Sequence, residues 1–232
     1  MKYSLAYELV DGHIIVTSEG GKKCLIDTGS HVSVGSPENI LFAGARHALT
    51  PSLLGKAAYE LPGPIGVCID ALVGVDILNR YDMLIDPVRQ VLEFSDEEIE
   101  VEGEVEGEVL PIQLLSGVPI LVVGIGDKRI KVFFDTGAPI SYASEDVLKT
   151  YPRVGTAQDY YITFGAFQTV IHRVPITLGS RVIDLDVGVL PPELLRLLLG
   201  AGVEGILGTA ILDYFAVAYL PRRKIIVLLK RK

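Results

Sequence analysis

Short runs of apolar residues, separated by glycine and polar residues, extend along the whole chain and predict strands more often than helices. The predicted strands lie at 13–17, 22–26, 90–94, 121–125, 129–134 and 224–229. Glycine-containing turns after 17 and after 125 predict that the flanking strands form hairpins. Short helices are predicted at 75–81, 192–199 and 209–214.

This pattern occurs twice, which indicates an internal duplication. The matched segments are 4–12 with 109–117, Asp27-Thr28-Gly29 with Asp135-Thr136-Gly137, Ser33 with Ser141, and 72–81 with 206–215. The offset between the copies grows from 108 to 134, so the second copy is 26 residues longer between its aspartate and its last block. We therefore predict an N-terminal lobe at 1–94, an acidic connector at 95–108 and a C-terminal lobe at 109–232.

The composition is that of a globular protein with an aliphatic core. Hydrophobic residues make up 49% of the 232 residues and charged residues 22%, which argues against disorder. No apolar stretch reaches the roughly 18 residues of a membrane span, and the first residues lack the apolar region of a signal peptide. We expect no membrane partner. Cys24 and Cys68 could pair, but two thiols make no disulfide framework, and buried, reduced cysteines in the cytoplasm are expected.

The formal charge of −8 comes from one segment of the chain. Eight of the 29 acidic residues lie between Asp96 and Glu108, where no basic residue occurs, and the remaining acids balance the 21 lysines and arginines. Like charges repel and extend a chain, so this segment is predicted to be a solvated connector. Because no basic patch occurs, we expect no nucleic-acid partner.

Each Asp-Thr-Gly follows an apolar run, which places an aspartate at the end of a buried strand. A carboxyl in that position is poorly solvated, and its pKa responds to its neighbours. Two such carboxyls that face each other hold one proton between them. A single Asp-Thr-Gly is equally well explained by a turn or a helix N-cap. Two copies on matched strands favour the paired site.

The residues around each aspartate have physical roles in such a pair. Glycine lets the backbone approach a carboxyl without a Cβ, and a threonine hydroxyl can donate across the midline to the opposite loop. Ser30 follows the first motif, whereas Ala138 follows the second. We expect the Ser30 hydroxyl to donate to Asp27 and to make Asp27 the more readily ionised acid.

These residues resemble the aspartic peptidase superfamily, which includes the pepsins and the retroviral-type peptidases. In that family an apolar-apolar-Gly strand passes beneath the motif, and Leu72-Val73-Gly74 and Ile206-Leu207-Gly208 match it. The resemblance implies a mostly β, bilobal acid-protease fold with pseudo-two-fold symmetry and few short helices. The residues that it implies are the catalytic Asp27 and Asp135, the supporting loop residues Thr28, Gly29, Ser30, Thr136, Gly137 and Ala138, and the psi-loop residues Gly74 and Gly208.

The family also covers its cleft with a β-hairpin, the flap. Segment 160–169 resembles the pepsin flap, although Phe164 stands where pepsins have a tyrosine. The resemblance implies that Phe164, Gly165, Ala166 and Phe167 form the flap and bind substrate. The first copy shows no such hairpin, because Pro62-Gly63-Pro64 interrupts its candidate region. We expect its side of the cleft to be open.

The expected function is that of an aspartic endopeptidase acting on peptides or unfolded proteins. One chain contains both acids, so a monomer is expected. The expected mechanism uses no cofactor and no metal ion, and the four histidines lack metal-ligand spacing. Two alternatives stay open: a non-catalytic peptide-binding module that kept the fold, or a scaffold whose acidic connector is the interaction element.

Overall fold

The computed structural model describes residues 1–36, 38–60, 68–100, 107–162 and 165–231. Strands account for 54% of the structure and helices for 12%, which confirms the predicted mostly β class. The strands are β1 (Lys2–Val10), β2 (His13–Thr17), β3 (Lys23–Ile26), β4 (Val34–Gly35), β5 (Asn39–Phe42), β6 (Ala45–Ala48), β7 (Ala71–Val73), β8 (Asp82–Asp86), β9 (Val91–Ser95), β10 (Glu108–Pro111), β11 (Gln113–Leu115), β12 (Val118–Ile125), β13 (Lys128–Phe134), β14 (Ser141–Ala143), β15 (Arg153–Tyr161), β16 (Gly165–Leu178), β17 (Arg181–Val189), β18 (Gly205–Leu207), β19 (Phe215–Leu220) and β20 (Ile225–Lys230).

The helices are short. They are α1 (Val75–Leu78), α2 (Glu145–Leu148), α3 (Pro192–Gly200) and two 3₁₀ turns at Ala58–Glu60 and Thr209–Asp213. Helix α3 is amphipathic, because Leu194 and Leu198 are buried while Leu197 and Leu199 are exposed. In the described part of the chain, no helix has the length and apolar character that crossing a membrane requires.

A ten-stranded sheet draws strands from both predicted lobes. Its order is β10-β20-β19-β8-β9-β1-β2-β3-β7-β4. The two halves of the chain meet where β19 pairs with β8 antiparallel, with Val217 opposite Ile85. Both of these side chains are fully buried, and burying such a side chain stabilises a fold by roughly 1.5–3 kcal/mol. The shared sheet therefore ties the two halves of the chain together.

A second sheet, of eight strands, belongs to the second half and has the order β11-β12-β13-β18-β14-β17-β16-β15. Strand β13 pairs parallel to β18, which in turn pairs antiparallel to β14. The first half shows the same arrangement, since β3 pairs parallel to β7 and β7 antiparallel to β4. In both halves the loop after the first of these strands carries an Asp-Thr-Gly.

The hairpin of β5 and β6 in the first half packs inward, and the sequence did not predict it. Its turn has left-handed backbone at Ala43 and Gly44, with φ of 48° and 73°. The left-handed φ of Gly44 favours glycine at this position, and a Cβ there would lie 2.1 Å from the Tyr3 hydroxyl. Phe42 is fully buried, and its ring meets that of Phe94 edge-on at 5.1 Å. These contacts hold the hairpin against the core.

The start of the acidic connector is anchored to the ten-stranded sheet. The Arg222 guanidinium donates to the backbone carbonyls of Asp96 and Glu97 and forms an ion pair at 3.1 Å with the fully buried Asp82. Ile99 is buried, and its N–H donates to Asp82 at 3.0 Å. Within the predicted solvated connector, Asp96, Glu97 and Glu98 are exposed, whereas Ile99 is buried and bound to Asp82. Residues 101–106 lie outside the described residues.

Both cysteines are free thiols, but only Cys24 is buried. Burial raises the pKa of the Cys24 thiol to about 12. Cys68 is exposed, which contradicts the expectation that both are buried.

Candidate active site

The two Asp-Thr-Gly loops are held by matching backbone hydrogen bonds. The N–H of Asp27 donates to the Val73 carbonyl at 3.0 Å, and the N–H of Asp135 donates to the Leu207 carbonyl at 3.0 Å. In each case the parallel strand beside the loop supplies the acceptor. Asp27 therefore follows β3 beside its parallel partner β7, and Asp135 follows β13 beside β18 at the equivalent position.

Thr28 and Thr136 join the loops across the midline. The N–H of Thr28 donates to the Thr136 hydroxyl at 3.0 Å, and the N–H of Thr136 donates to the Thr28 hydroxyl at 2.9 Å. The two hydroxyls donate in turn to the carbonyls of Phe134 and Ile26, each at 2.8 Å. Both threonines are buried, so these bonds are shielded from water and fix one loop relative to the other.

Gly29 and Gly137 bring the two aspartates face to face. A Cβ added at Gly29 would lie 2.3 Å from the Asp135 carboxyl carbon, and one at Gly137 would lie 2.6 Å from that of Asp27. Each carboxyl therefore packs directly on the backbone of the opposite loop. No other residue type leaves room for this contact.

The carboxyls accept hydrogen bonds from their own loops. Asp27 Oδ1 accepts from the N–H groups of Gly29 and Ser30 at 2.8 and 3.0 Å, and Asp135 Oδ1 accepts from that of Gly137 at 2.8 Å. The Ser30 hydroxyl instead donates to the Val32 carbonyl at 2.8 Å. The predicted hydrogen bond from this hydroxyl to Asp27 is therefore wrong, because the hydroxyl donates to the Val32 carbonyl instead.

Burial raises the pKa of both carboxyls above the ordinary aspartate value. The charge of Asp135 and a hydrogen bond between the carboxyls raise the pKa of Asp27 further, and the same bond lowers that of Asp135. The backbone N–H groups of Gly29 and Ser30 oppose the rise at Asp27 without cancelling it. The coupled pair therefore retains a proton that the two carboxyls share. That Asp27 is the acid that ionises first stays a prediction.

The psi-loop glycines, Gly74 and Gly208, lie directly beneath the two loops. A Cβ on Gly74 would lie 2.6 Å from the Val32 carbonyl, and one on Gly208 would lie 2.4 Å from that of Ala138. Their N–H groups donate to the matched hydroxyls of Ser33 and Ser141, at 2.8 and 3.1 Å. The ends of β7 and β18 therefore lie in close backbone contact with the two Asp-Thr-Gly loops.

A cavity of about 160 Å³ opens above the aspartates. Its lining combines residues of both halves: His13, Leu25, Asp27, Leu53, Leu72, Asp135, Gly137, Ala138, Pro139, Tyr142, Asp159, Tyr160, Tyr161, Ile162, Phe167, Leu194 and Ile206. Most of these side chains are apolar, and the Asp27 and Asp135 carboxyls lie among them. This combination is typical of a ligand-binding cleft.

The hairpin of β15 and β16 lies over this cavity. Tyr161 pairs with Gly165 and Tyr160 with Ala166, and Gly165 has a φ of +86° at the turn. The cavity lining includes Tyr160, Tyr161, Ile162 and Phe167 of this hairpin. Phe164, which the sequence placed at the tip, lies outside the described residues.

Tyr161 is a residue of this hairpin that sequence reasoning did not single out. Burial raises the pKa of its phenol, and the charges of Asp135 and Asp27 raise it further. The phenol therefore stays protonated near the two carboxyls.

The first half also contributes to the cleft, contrary to the expected open side. Leu53 lines the cavity. The Lys56 ammonium donates to the Tyr160 hydroxyl at 2.6 Å and lies 5.2 Å from the centre of that ring. This contact joins the first half to the hairpin of the second. Pro62-Gly63-Pro64, which led to the expectation that the first half has no flap hairpin, lies outside the described residues.

Sequence reasoning missed three polar residues of the cleft: His13, Tyr142 and Asp159. His13 follows the Asp11-Gly12 turn, and its charge lowers the pKa of Asp135. The Tyr142 hydroxyl donates to Asp159. The sequence held one signal for His13. It is aligned with Val118 of the second copy, so a polar histidine replaces an apolar residue at an equivalent position of the duplication.

No protein-family model and no curated protein matches the chain. Among solved structures, the chain is similar to an aspartic proteinase from Irpex lacteus, with 11% identity and a TM-score of 0.53 over 99% of this chain and 97% of that one. A protease of Simian Foamy Virus (mac) matches with 18% identity and a TM-score of 0.30, over 40% of this chain and 90% of that one. The full-length match confirms the predicted architecture: the chain has the mostly β, bilobal fold of a pepsin-like aspartic proteinase.

Proposed function

We propose that this protein is an aspartic endopeptidase, which hydrolyses peptide bonds with a water molecule activated between Asp27 and Asp135. One observation carries the proposal: each carboxyl lies against the glycine of the opposite loop, where the Cβ of any other residue would collide with it. The threonine bonds between the loops keep the carboxyls in that position. A binding module has no need for two buried acids placed in this way.

The proposed mechanism uses the single proton that the pair shares. The ionised carboxylate of the pair accepts a proton from the water, whose oxygen attacks the carbonyl carbon of the substrate. The other carboxyl donates its proton to the carbonyl oxygen, which forms a gem-diol. The carboxyl that took the water's proton then donates it to the amine nitrogen, while the other carboxylate takes a proton from a gem-diol hydroxyl. The C–N bond breaks, a carboxylic acid and an amine leave, and the pair again holds one proton. Burial keeps the proton on the pair, because it penalises loss of that proton.

We propose an extended peptide or an unfolded protein segment as the substrate. The cavity is bounded by the crossing strands below and by the β15–β16 hairpin above, and its walls are mostly apolar. We also propose that Gly165, Ala166 and Phe167 take part in substrate binding, together with Tyr161. Closure of the hairpin over a peptide would exclude water from the carboxyls. Since one chain supplies both acids, we propose that the monomer is active.

The test is cleavage of a denatured protein at several pH values, with and without a statine-containing inhibitor. Asp27→Asn and Asp135→Asn are expected to lower turnover by roughly 10²-fold or more, because each removes an essential acid or base. Asp127→Asn is the matched control, since Asp127 lies in an exposed turn away from the cleft.

Circular dichroism spectra establish that the variants are folded. Turnover above roughly a hundredth of wild type in both dyad variants would refute the mechanism. Tight inhibitor binding without cleavage by wild type would instead identify a peptide-binding module.

A further inference from the structure

We propose that Asp159 makes the cleft selective for a lysine or arginine side chain near the scissile bond. This inference rests on the proposed function only in taking a peptide as the ligand. Asp159 lies on β15, where it is paired with Phe167 of β16, and it is half-buried in the cavity wall. It shares that cavity with Asp27 and Asp135.

Two hydrogen bonds fix the orientation of the Asp159 carboxylate. The Tyr142 hydroxyl donates to Oδ2, and the Tyr160 N–H donates to Oδ1 at 2.7 Å. Tyr142 is buried, and burial together with the charge of Asp159 raises the pKa of its phenol. The phenol therefore remains a donor to Asp159. A carboxylate fixed in this way presents its charge to the cleft without further reorganisation.

Asp159 has no cationic partner among the described residues. The ion pairs that the described chain forms involve other acids. Lys56, the lysine beside this part of the cleft, donates to the Tyr160 hydroxyl. A half-buried carboxylate in a mostly apolar wall is costly to desolvate unless a cation pairs with it. A substrate cation would supply that partner.

The surroundings of Asp159 suit a long basic side chain. Phe167, Leu194 and Ile206 line the same cavity and pack in one apolar cluster with Tyr142. The methylene groups of a lysine or arginine can lie along this wall while the charged end reaches Asp159. An acidic substrate side chain would meet the charge of Asp159 and that of the aspartate pair. The site therefore favours basic residues and disfavours acidic ones.

The experiment measures kcat/KM on a peptide that the wild type cleaves, with each position from the third before to the third after the scissile bond replaced in turn. Lysine, arginine, glutamate and norleucine are compared, because norleucine has the length of lysine without its charge. At one position, lysine and arginine are expected to exceed norleucine by roughly tenfold or more, the range of a hydrogen bond to a charged group. That ratio should fall as salt rises.

Asp159→Asn should bring the ratio of lysine to norleucine close to one, and Asp159→Glu should restore part of it. Asp127→Asn, which removes an exposed charge on the same half, should leave the ratio unchanged. Statine-containing peptides that differ only in lysine or norleucine provide a readout that needs no turnover. The lysine form is expected to bind wild type roughly tenfold tighter, and Asp159→Asn should lose that difference.

Equal use of lysine and norleucine at every position by wild type would overturn the inference, as would a preference that survives in Asp159→Asn. A different outcome of the same measurements would refute the catalytic proposal. If no peptide is cleaved but binding of the lysine peptide still depends on Asp159, selectivity is supported and catalysis is rejected. If the lysine and norleucine peptides also bind equally, both are rejected.

Discussion

Thr28 and Thr136 exchange hydrogen bonds, each accepting on its hydroxyl the backbone N–H of the other. Each hydroxyl then donates to the carbonyl of the residue that precedes the opposite aspartate. All the groups involved are buried, so the loss of one hydroxyl leaves a backbone N–H and a backbone carbonyl without a partner. The relative position of the two aspartates therefore depends on this pair of threonines.

Thr28→Val and Thr136→Val are each expected to destabilise the protein by about 1–3 kcal/mol, because a buried N–H and a buried carbonyl lose their partner. Denaturant unfolding measures this change. Thr28→Ser and Thr136→Ser keep the hydroxyl and serve as matched controls. If the valine variants unfold at the same denaturant concentration as the serine variants, these bonds do not hold the loops.

Gly29→Ala and Gly137→Ala are expected to lower peptide hydrolysis by roughly 10²-fold or more, since a displacement of about 1 Å in an active site has that effect. The added methyl carbons would lie 2.3 and 2.6 Å from the opposite carboxyl carbons, so the aspartates must move apart. Gly155→Ala is the control, because no heavy atom lies within 4 Å of a Cβ there. Near-wild-type kcat/KM in Gly29→Ala would contradict the face-to-face arrangement.

Asp27→Asn is expected to stabilise the protein at neutral pH and not at low pH. The pKa of Asp27 is raised in the folded state, so the folded protein holds the proton more tightly than the unfolded chain. Wild-type stability should therefore fall as pH rises above about 3.9, the ordinary aspartate pKa. The asparagine side chain does not titrate and avoids this loss.

The difference in Tm between Asp27→Asn and wild type, measured from about pH 4 to about pH 7, should therefore increase with pH. Asp127→Asn, which changes an exposed acid in a turn away from the cleft, is the matched control. A Tm difference that stays constant across this pH range would mean that the carboxyl pair does not retain a proton in the folded protein.

Lys56→Met is expected to loosen the β15–β16 hairpin. It removes both the hydrogen bond to the Tyr160 hydroxyl and the contact with the ring; such cation–π contacts contribute about 0.5–1 kcal/mol at exposed sites. Hydrogen exchange should become faster at the backbone amides of Tyr160 and its neighbours on β15. Lys131→Met, on β13, is the control. Unchanged exchange in Lys56→Met would show that the first half does not restrain the hairpin.

Several features of the fold could be predicted from the sequence because local patterns determine them. An apolar run that ends in Asp-Thr-Gly has the same local structure in both halves, and the strands before Asp27 and Asp135 were predicted to within a residue or two. The close passage of Gly74 and Gly208 was implied by resemblance, since only glycine permits it. The matched Ser33 and Ser141 proved to accept the glycine N–H groups.

The walls of the cleft could not be predicted in this way. Asp159 and Tyr142 meet across 17 residues of chain, and Lys56 meets Tyr160 across 104. The inward packing of the β5–β6 hairpin depends on Tyr3 and Phe94, which lie far from it in sequence. Hydrophobic periodicity reports which face of a strand is buried. It does not report which distant segment that face meets.

The Ser30 hydroxyl shows the same limit at the centre of the site. Its identity and position were known from the sequence, yet its partner is the Val32 carbonyl and not the Asp27 carboxylate. The order of the residues is enough to show that two aspartates end two matched buried strands. The polar groups that surround these aspartates follow from the three-dimensional packing, because a hydroxyl or a carboxylate bonds whichever partner lies within about 3 Å. The packing of segments far apart in the chain sets that distance.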